Sequence, residues 1–352
     1  MRDDYDFIIV GQGLAGTCLA HALRKQSQRV LVIDDHAQFS ASMVAGGLYN
    51  PITGRNMVLT WMADELFTFL DPFYRQIERE LAIKCLHPQP IFRPFGSVEE
   101  LNEWQGKLSD QLYKPYVEGL ITDPTENPMI NNPFGGLQIK RSGYLDTKLL
   151  LSAYRDSLIK DKCYLDEKFN LNELNLQGQK VVYKAHSAGK IIFCEGPEVT
   201  ANPWFEPVKI VPLKGEVITI KTAEPLNRIF NKGIFVLPLE ASKNICIVGS
   251  TYLRNDSSWD PTEKGRSEIE QKLKNILSCK FEIIGHRAGV RPTVVDRRPV
   301  IGLHPENKNI AIFNGMGTKG VSLAPYFAEL FASHLTQNRI LLSSVNVTRF
   351  FT

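Results

Sequence analysis

The chain has 352 residues, 43% of them hydrophobic and 22% charged. That is a globular composition, and the length exceeds the ~250–300 residues at which a single hydrophobic core stops growing, so two domains are expected. The 41 basic residues nearly balance the 38 acidic ones, and a net charge of +3 makes neither DNA nor an anionic membrane surface the default partner. Six cysteines, Cys18, Cys85, Cys163, Cys194, Cys246 and Cys279, are scattered without a CxxC pair and without ligand-like spacing to the seven histidines. That pattern argues against a disulfide framework and against a zinc site.

The stretch 7–23 is apolar, but the preceding Arg2-Asp3-Asp4-Tyr5-Asp6 carries more negative than positive charge, the reverse of a secretory leader. Gly11, Gln12, Gly13 and Gly16 interrupt it, and the chain has no run of about 20 apolar residues to span a bilayer. The expectation is a soluble cytoplasmic protein, in which the sequons at Asn255 and Asn346 are chance matches.

Residues 5–10 read as a short apolar strand that enters Gly11-Gln12-Gly13-Leu14-Ala15-Gly16, followed by a helix through 23 and a second strand, 29–34, ending in Asp34. Gly11 permits a tight turn, Gly13 lets backbone approach a pyrophosphate, and Gly16 lets the helix pack close to the strand. The helix N-terminus adds unpaired N–H donors and a positive dipole end. Asp34 is placed to accept from a ribose hydroxyl. The ADP half that this unit binds is common to NAD and FAD, so the motif alone leaves both open.

Farther on, 40–51 is rich in small residues, with Ser42, Ala45, Gly46 and Gly47, as suits a loop lying against a large flat ligand. A helical pattern covers 56–70, is interrupted by Pro72, and resumes through 81. From 85 to 134 proline and aromatic residues increase, as in an insertion, with one helix announced by the capping box Ser97 to Glu100. Asp146 caps a helix over 147–159. Strands near 181–184 and 190–194 flank Ala188-Gly189, the second running into Glu195-Gly196. Past 204 strands dominate, at 217–220, 234–239 and 244–250, with a helix from 262 to 278. The last region returns to glycine-rich turns, ending in a helix that starts near 323 with Pro325 in its first turn.

Four pieces in this order carry a family resemblance over nearly the whole chain: the Gly11 motif; Phe193-Cys194-Glu195-Gly196; Arg291-Pro292 leading to Pro299 and Gly302; and Gly315-Met316-Gly317-Thr318-Lys319-Gly320. The sequence resembles FAD-dependent oxidoreductases of the D-amino acid oxidase superfamily, of the glycine oxidase and sarcosine oxidase type. The resemblance implies an α/β fold in which a Rossmann-type FAD-binding domain is interleaved with a smaller α+β substrate domain on an antiparallel sheet. The boundaries expected are 1–80, 138–205 and 286–352 for the first, and 81–137 and 206–285 for the second.

It further implies FAD contacts from Gly11, Gly13, Leu14, Ala15, Gly16, Asp34 and Asp35; from Ser42, Ala45, Gly46, Gly47 and Phe169; from Cys194, Glu195 and Gly196; and from Gly315, Gly317, Thr318, Lys319, Gly320 and Val321. Arg291 would clamp a substrate carboxylate at the flavin's edge, Lys319 would run by its pyrimidine side, and Tyr252 would be a carboxylate or lid contact. The implied reaction passes hydride from the carbon next to a neutral amine to flavin N5, with oxygen as acceptor. The form Gly315-Met316-Gly317-Thr318-Lys319-Gly320 also resembles the oxidase domain of the bifunctional tRNA 5-methylaminomethyl-uridine biosynthesis protein. Its substrate is likewise an N-substituted glycine, and the balanced charge favours the small amine. A nicotinamide dehydrogenase and a flavin-binding module without turnover are the readings outside amine oxidation.

Overall fold

The opening strand, Asp3–Val10, runs between Val30–Asp34 and His186–Phe193, parallel to both. The computed structural model describes residues 3–35, 40–54, 56–123, 126, 128–254 and 256–351. Asn255, of the first sequon, lies outside them. Tyr164–Asp166 extends this sheet beyond Val30–Asp34, again in parallel. The far edge of His186–Phe193 is shared: its first half pairs antiparallel with Lys180–Tyr183 and its second half parallel with Ile310–Asn314.

The strands are apolar on both faces because both are covered. Phe7 and Ile9 pack towards the helices Leu14–Lys25, Ala63–Leu81 and Gly320–Gln337, whereas Ile8 and Val10 join Phe193, Val199 and Phe205 on the other side. Each such fully buried side chain contributes about 1.5–3 kcal/mol.

The second large sheet holds the chain's insertion and its middle together. Val117–Ile121, Gly136–Ile139 and Ile91–Pro94 join Ile229–Lys232, Ile234–Leu239, Ser242–Gly249 and Ile210–Thr222 in that order. The one parallel contact among them, Ile91 with Ile229 and Phe92 with Phe230, joins the two segments. Phe281–Val294 pairs along nearly the whole of Ile210–Thr222. Helix Glu263–Lys274, capped by the Thr262 hydroxyl, covers this sheet through Ile269 and Leu273.

Several elements differ from the sequence reading. Ala63–Leu81 is one helix that carries Pro72 inside it, because Leu66, Phe67, Leu70, Phe73, Tyr74 and Ile77 form a single buried stripe on both sides of the proline. Ala188 and Gly189 lie within the strand His186–Phe193, and the reversal before it falls at Lys184, whose φ is 52°. The last helix begins at Gly320, so Pro325 stands beyond its first turn. Pro325 has no N–H for the Val321 carbonyl, and the Tyr74 hydroxyl donates to that oxygen instead, at 2.9 Å. Position 286, an expected boundary, falls inside the continuous strand Phe281–Val294. The Asn346 side chain accepts from Thr348 N as a helix cap. No helix among the described residues is long and apolar enough to cross a membrane.

Candidate active site

The carboxyl ends of the parallel strands gather most of the expected residues. Gly11 has φ +97°, and a Cβ there would lie 2.6 Å from the Cys194 carbonyl oxygen, so only glycine fits the turn. Gly16 faces the Gly11 carbonyl more closely still, which brings helix Leu14–Lys25 onto the turn. Gly13 caps that helix with no side-chain acceptor of its own, as suits a helix N-terminus that faces a ligand. The Asp34 carboxylate accepts from Gln12 N at 2.6 Å, which fixes it at the mouth of the turn. Asp35, next along, is exposed.

The loop after the second strand closes over this turn. Ser42 Oγ accepts from Leu14 N at 3.2 Å, and Ser42 O accepts from the Thr147 hydroxyl at 2.7 Å. Gly46 leaves just enough room for Phe235 of the antiparallel sheet, at 2.7 Å from a built Cβ, and Gly47 passes tightly against the Leu145 backbone. Neither is a loose turn. Ala45 is exposed. Phe169 stacks on Tyr183 at 4.8 Å and meets Phe193 edge-on at 5.7 Å, so its ring is engaged in packing.

Cys194 and Glu195 sit behind Gly11. Burial pushes the Glu195 carboxyl up to about 7, Asn202 Nδ2 at 3.0 Å opposes that rise, and Glu198 adds to it. Burial likewise holds the Cys194 thiol well above its ordinary value. Asn314, which sequence reasoning missed, links two glycine loops: its Nδ2 donates to Gly196 O at 2.9 Å, and its Oδ1 accepts from Gly315 N at 2.7 Å. Gly317 N donates to Pro292 O at 3.1 Å. Close to Gly317 the Thr293 hydroxyl is buried without a partner, another residue the sequence did not single out.

Lys319 is half-buried, and its Nζ donates to Thr60 Oγ1 at 3.2 Å. Burial, with Arg298 and Arg297 nearby, lowers its pKa. The Arg298 guanidinium lies 4.0 Å above the Trp61 ring. Gly320 starts the last helix close to Leu14 Cδ2, Val321 is buried behind it, and Thr318 is exposed.

Arg291 extends from the strand Phe281–Val294. Nη2 donates to Ser250 Oγ at 2.7 Å and Nη1 to Thr251 O at 3.4 Å, while the Tyr252 ring lies 5.1 Å from Cζ. Gly215, opposite on the neighbouring strand, leaves the space that the guanidinium fills. Burial lowers its pKa, the Tyr252 phenol opposes that, and no carboxylate among the described residues pairs with it. Tyr252 itself is 60% exposed.

The residues fit a dinucleotide cofactor with a flat ring: a glycine cradle at a helix N-terminus, a carboxylate at its mouth, and an unpartnered hydroxyl beside a second glycine loop. The profile of the family described as FAD dependent oxidoreductase matches residues 6–334. The chain belongs to that family, and its cofactor is FAD. A tRNA 5-methylaminomethyl-2-thiouridine biosynthesis bifunctional protein from Idiomarina loihiensis is 23% identical, over 99% of this chain and 59% of the relative. A glycine oxidase from Bacillus subtilis is 20% identical over 96% of this chain and 95% of its own. The crystal structure of glycine oxidase from Geobacillus kaustophilus superposes with a TM-score of 0.81 at 16% identity, covering 99% of each chain. The chain spans little more than half the length of the bifunctional relatives it matches.

Proposed function

We propose that the chain oxidises the C–N bond of a small amine bearing a carboxylate, of the glycine, sarcosine or D-amino acid type, with oxygen as electron acceptor. The observation that carries this reading is Arg291, a half-buried guanidinium with no carboxylate of the described chain against it. An unpaired charge held out of water costs several kcal/mol, and a planar fork is satisfied by one bound carboxylate. Anchoring that carboxylate fixes the neighbouring carbon and its amine in place. When bound, FAD supplies the acceptor for the hydride from that carbon. Tyr252 covers the guanidinium from the solvent side, and Lys319 brings positive charge to the start of the last helix. The imine product hydrolyses in water to a carbonyl compound and ammonia or an amine.

In this reading the parallel sheet and its helices hold FAD, through 1–80, 138–205 and 286–352. The antiparallel sheet, through 81–137 and 206–285 and on through the rest of the strand Phe281–Val294, walls the substrate pocket. Arg291 stands where the two meet.

A second reading, removal of a carboxymethyl group from a modified uridine in tRNA, draws on the likeness to the bifunctional relatives and on Arg297, Arg298 and Lys319 at the same rim. One experiment separates these. Under anaerobic conditions the flavin is mixed with glycine, sarcosine, proline, D-amino acids or tRNA carrying carboxymethylaminomethyluridine, and the loss of flavin absorbance is followed. Bleaching by a free amino acid, with Arg291→Ala weakening its binding at least tenfold, is expected. Bleaching by the tRNA alone selects the second reading, and no bleaching by any amine leaves a flavin-binding module.

A further inference from the structure

Lys214 and Glu216 are both fully buried in the strand Ile210–Thr222, and nothing in the proposed chemistry uses either. The strand alternates. Gly215 faces Arg291, so Lys214 and Glu216 face the other side, where the N-terminus of helix Glu263–Lys274 covers them. A Cβ at Gly265 in that helix would lie 2.6 Å from Glu216 Oε1.

Each charge is tied to the chain that leaves the strand Ser242–Gly249. Lys214 Nζ donates to Asp256 Oδ2 and to Ser258 Oγ, both at 2.8 Å. The Glu216 carboxylate accepts from Thr262 N at 2.9 Å and Thr262 Oγ1 at 2.8 Å, and His286 Nε2 lies 2.8 Å from it. Glu216 N donates to Thr251 Oγ1 at 2.9 Å. The same stretch of chain carries Ser250 and Thr251, the two acceptors of the Arg291 guanidinium. Its only regular element among the described residues is the two-residue strand Leu253–Arg254, paired to Leu213 and Lys214, and Thr251 N donates to Glu216 O at 3.3 Å; beyond Arg254 the ties to the strand are those of the side chains. A buried ion pair is a poor device for stability alone, since apolar residues of similar size are often as good or better.

We propose that Lys214 and Glu216 are positioning residues for the carboxylate clamp: by anchoring Asp256, Ser258 and Thr262 from the far side of the strand, they aim Arg291 through Ser250 and Thr251. The proposal rests on the reading of Arg291 as that clamp.

Asp256 is the position to perturb, because its side chain is 35% exposed and it lies outside the paired strands. In the flavin-loaded protein, Asp256→Ala raises the Kd for acetate about tenfold, read from the shift in flavin absorbance. Flavin content and the limiting rate of anaerobic reduction by a saturating amino acid stay within about threefold of wild type, so KM moves and kcat does not. In an Arg291→Ala background the same substitution adds nothing, because it acts only through Arg291. Lys214→Met gives the same pattern. Unchanged acetate affinity in Asp256→Ala, or an equal loss with and without Arg291, overturns the proposal. If Arg291→Ala weakens acetate binding and Asp256→Ala does not, the positioning role alone fails. If Arg291→Ala leaves acetate binding unchanged, the clamp reading fails and takes the proposal with it.

Discussion

A methyl group at position 215 perturbs the clamp without touching a charge. Gly215 pairs with Gly289 across the two long strands, and a Cβ there would lie 2.0 Å from Arg291 Nη2, 2.3 Å from Cζ and 2.4 Å from Nη1. Non-bonded carbon and nitrogen settle near ~3.5 Å, so the guanidinium must withdraw by roughly 1.5 Å. The atoms that move are the end of a flexible side chain, and Gly215→Ala therefore costs the fold only about 1–2 kcal/mol. The same movement breaks the 2.7 Å bond to Ser250 and takes the fork out of register with a carboxylate. Losing a bidentate, charge-assisted contact is worth about 2–3 kcal/mol, or roughly 30- to 150-fold in affinity. Titration of the flavin-loaded protein with acetate measures that loss directly, and a thermal melt measures the stability term. A Gly215→Ala protein that is fully loaded with flavin and binds acetate like wild type refutes the placement of the carboxylate on Arg291.

Three further substitutions test the scaffold. Gly16→Ala sets a Cβ 3.0 Å from the Gly11 carbonyl carbon and closer still to its oxygen, backbone against backbone, so the purified protein loses most of its flavin, seen in its absorbance ratio. Retention of a full complement of FAD means the helix and turn are not held in this contact. Tyr74→Phe strands the Val321 carbonyl, which Pro325 already deprives of its helical donor, and costs about 1–3 kcal/mol, a drop of several degrees in Tm. An unchanged Tm means that oxygen finds another donor. Glu195 is raised to about 7 from 4.5, so between those values the folded state keeps a proton that the unfolded state has released. Stability then falls as pH rises through that window, by about 1.4 kcal/mol per unit from this group. Glu195→Gln removes this fall, and the flavin-free variant melts above wild type at pH 8 and level with it near pH 4.5. Parallel pH profiles for the two proteins contradict the burial of an ionisable group there.

The nucleotide unit was legible because its constraints are local. Gly11 and Gly16 are required by contacts within a few residues or with the adjoining strand, and that spacing is written in the chain. The interruption read at Pro72 failed because a buried stripe carries the helix across it, and the helix start read near 323 fell short because the compensation for Pro325 is distant: the donor to the Val321 carbonyl comes from Tyr74, 247 positions away. Ala188-Gly189 read as a turn by composition, yet a strand paired on both sides imposes extended backbone on it. In the site, Arg291 carried a motif, whereas its neighbours Ser250 and Thr251 lie 41 and 40 positions away and Gly215 stands across a strand pair, with no local signal. Lys214 and Glu216 were missed for a different reason. The strand was expected over 217–220, which leaves both out, whereas it runs over Ile210–Thr222 and turns them under a helix.

The two long strands therefore carry separate tasks on their two sides. Arg287, Gly289 and Arg291 alternate onto one face of Phe281–Val294. Gly289 is held bare by the loop over the nucleotide turn, where a Cβ would lie 3.1 Å from Val44 Cβ. The clamp follows two positions along the same face, so whatever seats the 40–47 loop also bears on the height of Arg291 above it. On the opposite face the buried charges fix the chain that holds the guanidinium from the other direction. On the proposed reading the arginine is located by the 40–47 loop contact through its own strand and by a charge network through its acceptors. A side chain with this many rotatable bonds holds one bidentate geometry only when constrained from both ends.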